Sequence, residues 1–158
     1  MRGLAREASV EGRVYITGGA TAVLLGWRES TLDVDIKIIP EHDRLLRSIP
    51  ELKESLQINV ELASPDDFIP PLPGWEARSA FITREGKVSY HHYDFYAQAL
   101  AKIERDHRID RLDVRQMIEL GLVKREELLA LFESIRPDLY RYPAISAERF
   151  EERVRKLQ

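Results

Sequence analysis

Along the first half of the chain apolar and polar residues alternate in short runs; along the second half the apolar residues recur at helical spacing. Val14-Tyr15-Ile16-Thr17 predicts a short strand. Gly18-Gly19 turns the chain, Ala20 to Leu25 is helical in composition, and Gly26 fits the end of that helix. A second strand is expected from Asp33 to Ile39, stopped by Pro40. From His42 to Leu56 the residues Leu45, Leu46, Ile49, Leu52 and Leu56 recur in the helical sense, with Pro50 expected to split the helix. A third strand is expected over 57–62, with Ile58, Val60 and Leu62 on one face and Asn59 and Glu61 on the other.

Ser64 to Trp75 holds four prolines and predicts a loop, with one helical turn started by Ser64 as cap and Pro65 at its first position. Ala77 to Thr83 and Lys87 to His91 predict a hairpin around Glu85-Gly86. Helices follow at Asp94–Arg105, at Asp110–Leu120 with Gly121 as cap, and at Arg125–Ile135. Arg136-Pro137 breaks the third, and a last helix is expected at Ser146–Leu157. The pattern predicts one α/β domain over residues 1–158, with a strand-rich core about 12–92 and a helical part about 93–158.

Composition adds exclusions. The 158 residues suffice for one core, and 44% hydrophobic with 32% charged residues is ordinary for a globular protein. With no cysteine, disulfides and thiolate zinc sites are excluded. No apolar run reaches the length of a membrane helix, and residues 1–6 lack the apolar core of a signal peptide, so a cytoplasmic location without a membrane partner is expected. A net charge of −3 gives no global attraction to nucleic acid, although a local patch suffices to bind it. Arginine outnumbers lysine 18 to 6, which suits bidentate contact with phosphate or carboxylate and is equally accounted for by genomic composition.

The chemistry concentrates in Gly18-Gly19 and Thr31-Leu32-Asp33-Val34-Asp35-Ile36. Asp33 and Asp35 stand two apart on a strand and so share a face. Carboxylates that close repel unless a proton or cation neutralises them, and Mg2+ favours all-oxygen sites combined with substrate phosphates. Glu61 is the natural third acid if its strand lies beside theirs. Three acids can hold one or two metals that clamp an in-line displacement. Gly18-Gly19 lets backbone approach phosphate, the following helix start adds amide donors, and Thr31 and Arg28 are placed to reach the same phosphates. Each feature also has a plain structural reading: a turn, a solvated strand edge, a surface glutamate.

Gly18-Gly19 with Thr31-x-Asp33-x-Asp35 resembles the signature of the nucleotidyltransferase superfamily, typified by DNA polymerase beta and the minimal nucleotidyltransferases. The resemblance spans about residues 14–62 and implies a nucleotidyltransferase-like mixed sheet with flanking helices. It also implies Mg2+ (or Mn2+) and a nucleoside triphosphate held by Asp33, Asp35 and a third carboxylate. Glu61 occupies the third position, where aspartate is commoner. Tyr96 to Arg105 and Arg108 to Val114 are similar to the Lys-x-x-x-Arg and Asp-x-x-Asp region of abortive-infection-type nucleotidyltransferase toxins. That similarity implies a triphosphate-contacting Lys102 supported by Asp110, with Asp113 a second candidate. Some relatives transfer nucleotides to tRNA.

Other residues carry two readings. Lys102 either snorkels from the rim of a core or contacts phosphate. Arg105, Arg108 and Arg111, interleaved with Asp106, Asp110 and Asp113, form salt bridges on a helix surface or touch an RNA backbone. His91 and His92 point oppositely on a strand and make poor partners for one ion. Trp75 either anchors its loop or caps a cleft.

The leading expectation is Mg2+-dependent transfer of a nucleoside monophosphate from an NTP to an acceptor hydroxyl on RNA or protein. The alternative is a non-catalytic nucleotide- or partner-binding member of a toxin–antitoxin pair. A metal-dependent phosphohydrolase is a weaker third, since no histidine lies near Asp33 in sequence.

Overall fold

In a computed structural model, which describes residues 1–41 and 43–157, the chain is a mixed α/β fold in two compact units. The first unit comprises residues 1–64 and 79–93, the second 65–78 and 94–158. The proline-rich segment therefore belongs with the helical unit although strands flank it on both sides. No helix among the described residues is long and apolar enough to cross a membrane.

The first unit is built on a five-stranded sheet. Its strands are β1 (Gly12–Thr17), β2 (Asp33–Ile39), β3 (Asn59–Leu62), β4 (Phe81–Glu85) and β5 (Val88–His92), in spatial order β3-β2-β1-β5-β4. β1 runs antiparallel to β2 and parallel to β5; β2 runs parallel to β3; β4 and β5 form the expected antiparallel hairpin. Val14, Ile16, Ile36, Ile38, Val88 and Tyr90 point to one face and make the core. That face is covered by α1 (Arg2–Arg6) through Leu4, by α2 (Gly18–Leu24) through Ala20, and by α3 (Asp43–Leu56) through Leu45 and Ile49. Tyr90 donates its hydroxyl to the Met1 carbonyl at 2.7 Å. Burial, then the charge of Glu85, push this phenol up to about 12.

Two expectations need correction here, and one bound lies outside the described residues. α3 runs unbroken through Pro50. Leu45 and Ile49 before the proline and Leu52 after it all pack on the sheet, and that burial outweighs one lost backbone bond. The α3 start expected at His42 lies outside the described residues, and the helix is seen from Asp43. Ala77 is not in a strand: Trp75–Arg78 forms a short helix, α4, and β4 begins only at Phe81. Arg78 explains the change, because its Nη1 donates to the Pro73 carbonyl at 2.8 Å and its Nε and Nη2 turn to Asp94. The short helix α1 has no counterpart among the sequence expectations, being too brief to show a period.

The second unit holds α4, then α5 (Phe95–Arg105), α6 (Arg108–Glu119), α7 (Arg125–Ile135) and α8 (Ala147–Arg155). Pro65–Asp67 is the expected single turn, of 3-10 type, and a further 3-10 segment runs from Arg136 to Arg141, where Arg136-Pro137 ends α7. Phe132 and Phe150 meet edge to face at 4.9 Å, joining α7 to α8.

Asp94 starts α5. Its Oδ1 accepts the Tyr96 amide at 3.2 Å, and its Oδ2 takes Arg78 Nη2 at 2.7 Å. Only 1% of the Asp94 side chain is exposed. Burial pushes its carboxyl up, against the pull of Arg78 and of the Tyr96 and Ala97 amides. Asp94→Ala removes a cap and strands a guanidinium, and is expected to cost about 2–4 kcal/mol in denaturant unfolding followed by helical circular dichroism. Asp94→Asn keeps an oxygen acceptor for the cap and is expected to cost less; equal losses for the two would refute the capping account.

Candidate active site

The alternation of β2 decides where the acids stand. Ile36 and Ile38 face the core, each 4% exposed, so Asp33 and Asp35 face the other way. β3 is the immediate parallel neighbour of β2, in a register that sets Asp35 opposite Glu61 and Asp33 opposite Asn59. Residues opposite one another share a face, so the expected third carboxylate stands beside the pair. Thr17, the last residue of β1, lies opposite Asp35 on the other side, immediately before Gly18.

Gly18 and Gly19 open α2 directly from the end of β1. Gly18 has φ +66, a left-handed conformation that a side chain disfavours. A Cβ there would run into Asp35 Oδ2. A Cβ on Gly19 would run into Thr31 Oγ1 and stand 3.2 Å from Arg28 Nη1. Thr31 in turn donates its hydroxyl to the Asp33 carbonyl at 3.0 Å. The glycine pair thus presents bare backbone to a carboxylate, a hydroxyl and a guanidinium at once. α2 has only seven residues, so the helix dipole anticipated from the sequence is a minor contributor beside this close approach.

The acids do not form the three-carboxylate cluster that the sequence suggests. Among the described residues no three His, Cys, Asp or Glu side chains are placed to hold a cation. The reason is Asn59. Its Nδ2 donates to Asp33 Oδ1 at 2.7 Å and to Glu61 Oε1 at 2.8 Å, so an amide stands between the outer two acids. Sequence reasoning put Asn59 on this face but gave it no role; its spacing of two from Glu61 was the available signal. The side-chain oxygens of Asp33, Asp35 and Glu61 are the donor type that a hard ion such as Mg2+ or Mn2+ takes, but with Asn59 bonded to two of these acids the three are not gathered into a cation site.

Lys102, Asp110 and Asp113 are brought together in the second unit. Lys102 Nζ donates to Asp113 Oδ2 at 2.7 Å and to Asp110 Oδ1 at 3.4 Å, and its side chain is 7% exposed. It does not snorkel to water; its ammonium sits between two acids. Arg105 reaches Asp110 with Nε at 2.8 Å and Nη2 at 2.6 Å, and the His107 amide adds a third donor at 3.3 Å. Burial pushes the Asp110 carboxyl up, but the Arg105 hydrogen bonds and the charges of Lys102 and Arg105 outweigh it and hold the group below its usual range. Arg111 pairs with Asp106 at 2.8 Å, the helix-surface reading of that basic run.

His91 and His92 do take opposite faces. His91 packs against Tyr15 and Phe81, with ring centroids 5.4 and 5.6 Å away. His92 is buried, which holds its imidazole below the ordinary value. Trp75 lies in α4.

Comparison of the chain with family models, with curated proteins and with solved structures finds no match.

Lys102→Ala leaves two buried acids without their shared cation and is expected to cost about 3–5 kcal/mol in denaturant unfolding. A loss below about 1 kcal/mol would contradict the buried-pair account. Because the folded Asp110 carboxyl is held low, its stabilisation is complete above the unfolded carboxylate range and is lost as pH falls through the lower, folded value. Asp110→Asn is therefore expected to lower stability at neutral pH and to flatten its acid-side decline, read as unfolding midpoints across an acid pH series.

Proposed function

We propose that the protein transfers a nucleoside monophosphate from an NTP to an acceptor hydroxyl on RNA or protein, drawing on the cytoplasmic NTP pool. The reading belongs to the nucleotidyltransferase superfamily resemblance and rests on residues of the first unit alone. The observation that carries it is the glycine cradle, in which positions 18 and 19 admit no Cβ because Asp35, Thr31 and Arg28 already lie against them. A turn that served only to reverse the chain would not need two side-chain-free positions against a carboxylate, a hydroxyl and a guanidinium.

In this reading the Gly18-Gly19 backbone, Thr31 and Arg28 position the triphosphate. Bound Mg2+ or Mn2+, held by Asp33 and Asp35, would supply charge neutralisation at the phosphates. The acceptor oxygen bonds the α-phosphorus while the bond from that phosphorus to the α–β bridging oxygen breaks. Pyrophosphate leaves with that electron pair. Glu61, opposite Asp35, takes the acceptor proton. Asn59 holds Asp33 and Glu61 at their places, and an ion held by Asp33 would have to take over from that amide.

The test is incubation with each labelled NTP, Mg2+ and total cellular RNA or protein. Label is expected to enter one macromolecular class, and Asp33→Asn with Asp35→Asn is expected to reduce it at least about a hundredfold. NTP with Mg2+ is expected to stabilise the wild type by about 2–3 kcal/mol when ligand is near a hundred times its Kd, with no such shift in the double variant. A shift without label would support the binding-only reading, as one member of a toxin–antitoxin pair. Neither label nor shift would remove both.

A further inference from the structure

The second unit carries a cleft of about 780 Å³ that none of the chemistry above uses. α5 packs against both α6 and α8, and these two helices supply its walls. On α6 the lining positions Arg111, Arg115 and Ile118 lie on one stripe; Arg149 and Arg153 on α8 and Lys156, which caps its C-terminus, form another. Residues three and four apart on a helix share a face, so each wall is one helix face turned to the cleft. Among the described residues, basic side chains lining it outnumber acidic ones seven to three.

That excess is not used up internally. Lys102 is committed to Asp113 and Asp110. Asp106 accepts Arg111 at 2.8 Å and Arg153 at 3.3 Å, and Glu152 accepts Lys156 at 2.7 Å. The third acid, Glu119, accepts the Gln116 amide at 2.8 Å. Arg115 and Arg149 are exposed, and neither side chain has an ion pair among the described residues. Two guanidiniums, one on each helix wall, together with aliphatic Ile118 and Leu157, match a surface that is acidic in places and apolar in others.

The shape and lining decide between partners. Among the described residues no aromatic side chain lines the cleft to stack a base, while Ile118 and Leu157 add aliphatic surface that an amphipathic helix can cover and a phosphate backbone cannot. Two helix faces flanking a groove suit a third helix laid between them, read out through anchors at i, i+3 and i+4. We propose that this cleft docks an acidic amphipathic helix of a partner protein. The partner's carboxylates pair with Arg115 and Arg149, and its aliphatic side chains rest on Ile118 and Leu157.

The test uses the full chain and a fluorescent Ala-rich peptide of about 18 residues, long enough to be helical alone, with glutamates on one face and leucines beside them. Saturable binding is expected by fluorescence anisotropy, weakened at least about tenfold by Arg115→Ala with Arg149→Ala. Arg108→Ala, an exposed change on α6 outside the cleft, is expected to leave it unchanged. A Glu→Gln peptide and a Leu→Ser peptide should each bind at least about tenfold more weakly than the parent. Both arginines are exposed, so thermal melting should show the double variant folded. No saturable binding, or equal binding by the double variant, would overturn the proposal. So would tighter capture of a labelled RNA oligonucleotide through the same two arginines, which would make the cleft a nucleic-acid site. NTP-dependent stabilisation should persist in the double variant, so failure here is distinguishable from failure of the nucleotidyl-transfer reading.

Discussion

The burial of Ile36 and Ile38 on one face of β2 constrains everything on the other. A strand has a period of two, so once those isoleucines are committed to the core, Asp33, Asp35 and Lys37 have no choice of side. A slip of one residue would bury the carboxylates and expose the isoleucines, a change no hydrogen bond in the sheet could compensate. The same constraint reaches β3. Val60 packs on the core opposite Val34, and that contact presents Asn59 and Glu61 beside the two aspartates. The acidic face is thus positioned by apolar residues that never touch it.

The helical unit is ordered by a different force. Lys102, Asp110, Asp113 and Arg105 form a charge network in which each acid has a cation and each buried oxygen is engaged by a donor. Such a network adds little net stability compared with an apolar core, yet is severely disturbed when one member is removed. It fixes how α5 meets α6, because Lys102 and Arg105 on one helix must reach Asp110 and Asp113 on the other. Asp94 and Arg78 repeat the device at the opposite end of α5, tying α4 to it.

Much of this was legible in the chain, and the failures have identifiable causes. α7 matches its expected span, Arg125–Ile135, because the next residues, Arg136-Pro137, end it unambiguously. β2 matches at Asp33–Ile39 for a similar reason, with Pro40 next. The same logic fails at Pro50, where packing on both sides of the proline overrides the local rule. Lys102 was readable as a residue of interest but not as a buried one. Its acidic partners sit eight and eleven positions onward, across a helix junction, where no single periodicity links them. Glu61 stands opposite Asp35 on the face that alternation assigns it, though not in the three-acid cluster expected of it. Asn59 escaped because an amide between two acids leaves no compositional mark, and the strength of its contacts depends on a register that only the paired strands reveal.

The order in which the strands pair has a bearing on synthesis. β1 lies at the centre of the sheet, yet its parallel neighbour β5 is separated from it by more than half the first unit's chain, and 65–78 of the intervening chain belong to the other unit. As the polypeptide leaves the ribosome, β1 to β3 can assemble, but one edge of β1 waits unpaired until Val88–His92 appears. Arg78 likewise emerges before Asp94, the buried carboxylate with which it pairs. The two units are therefore interleaved in time as well as along the chain, and no single cut in the polypeptide would release either one whole.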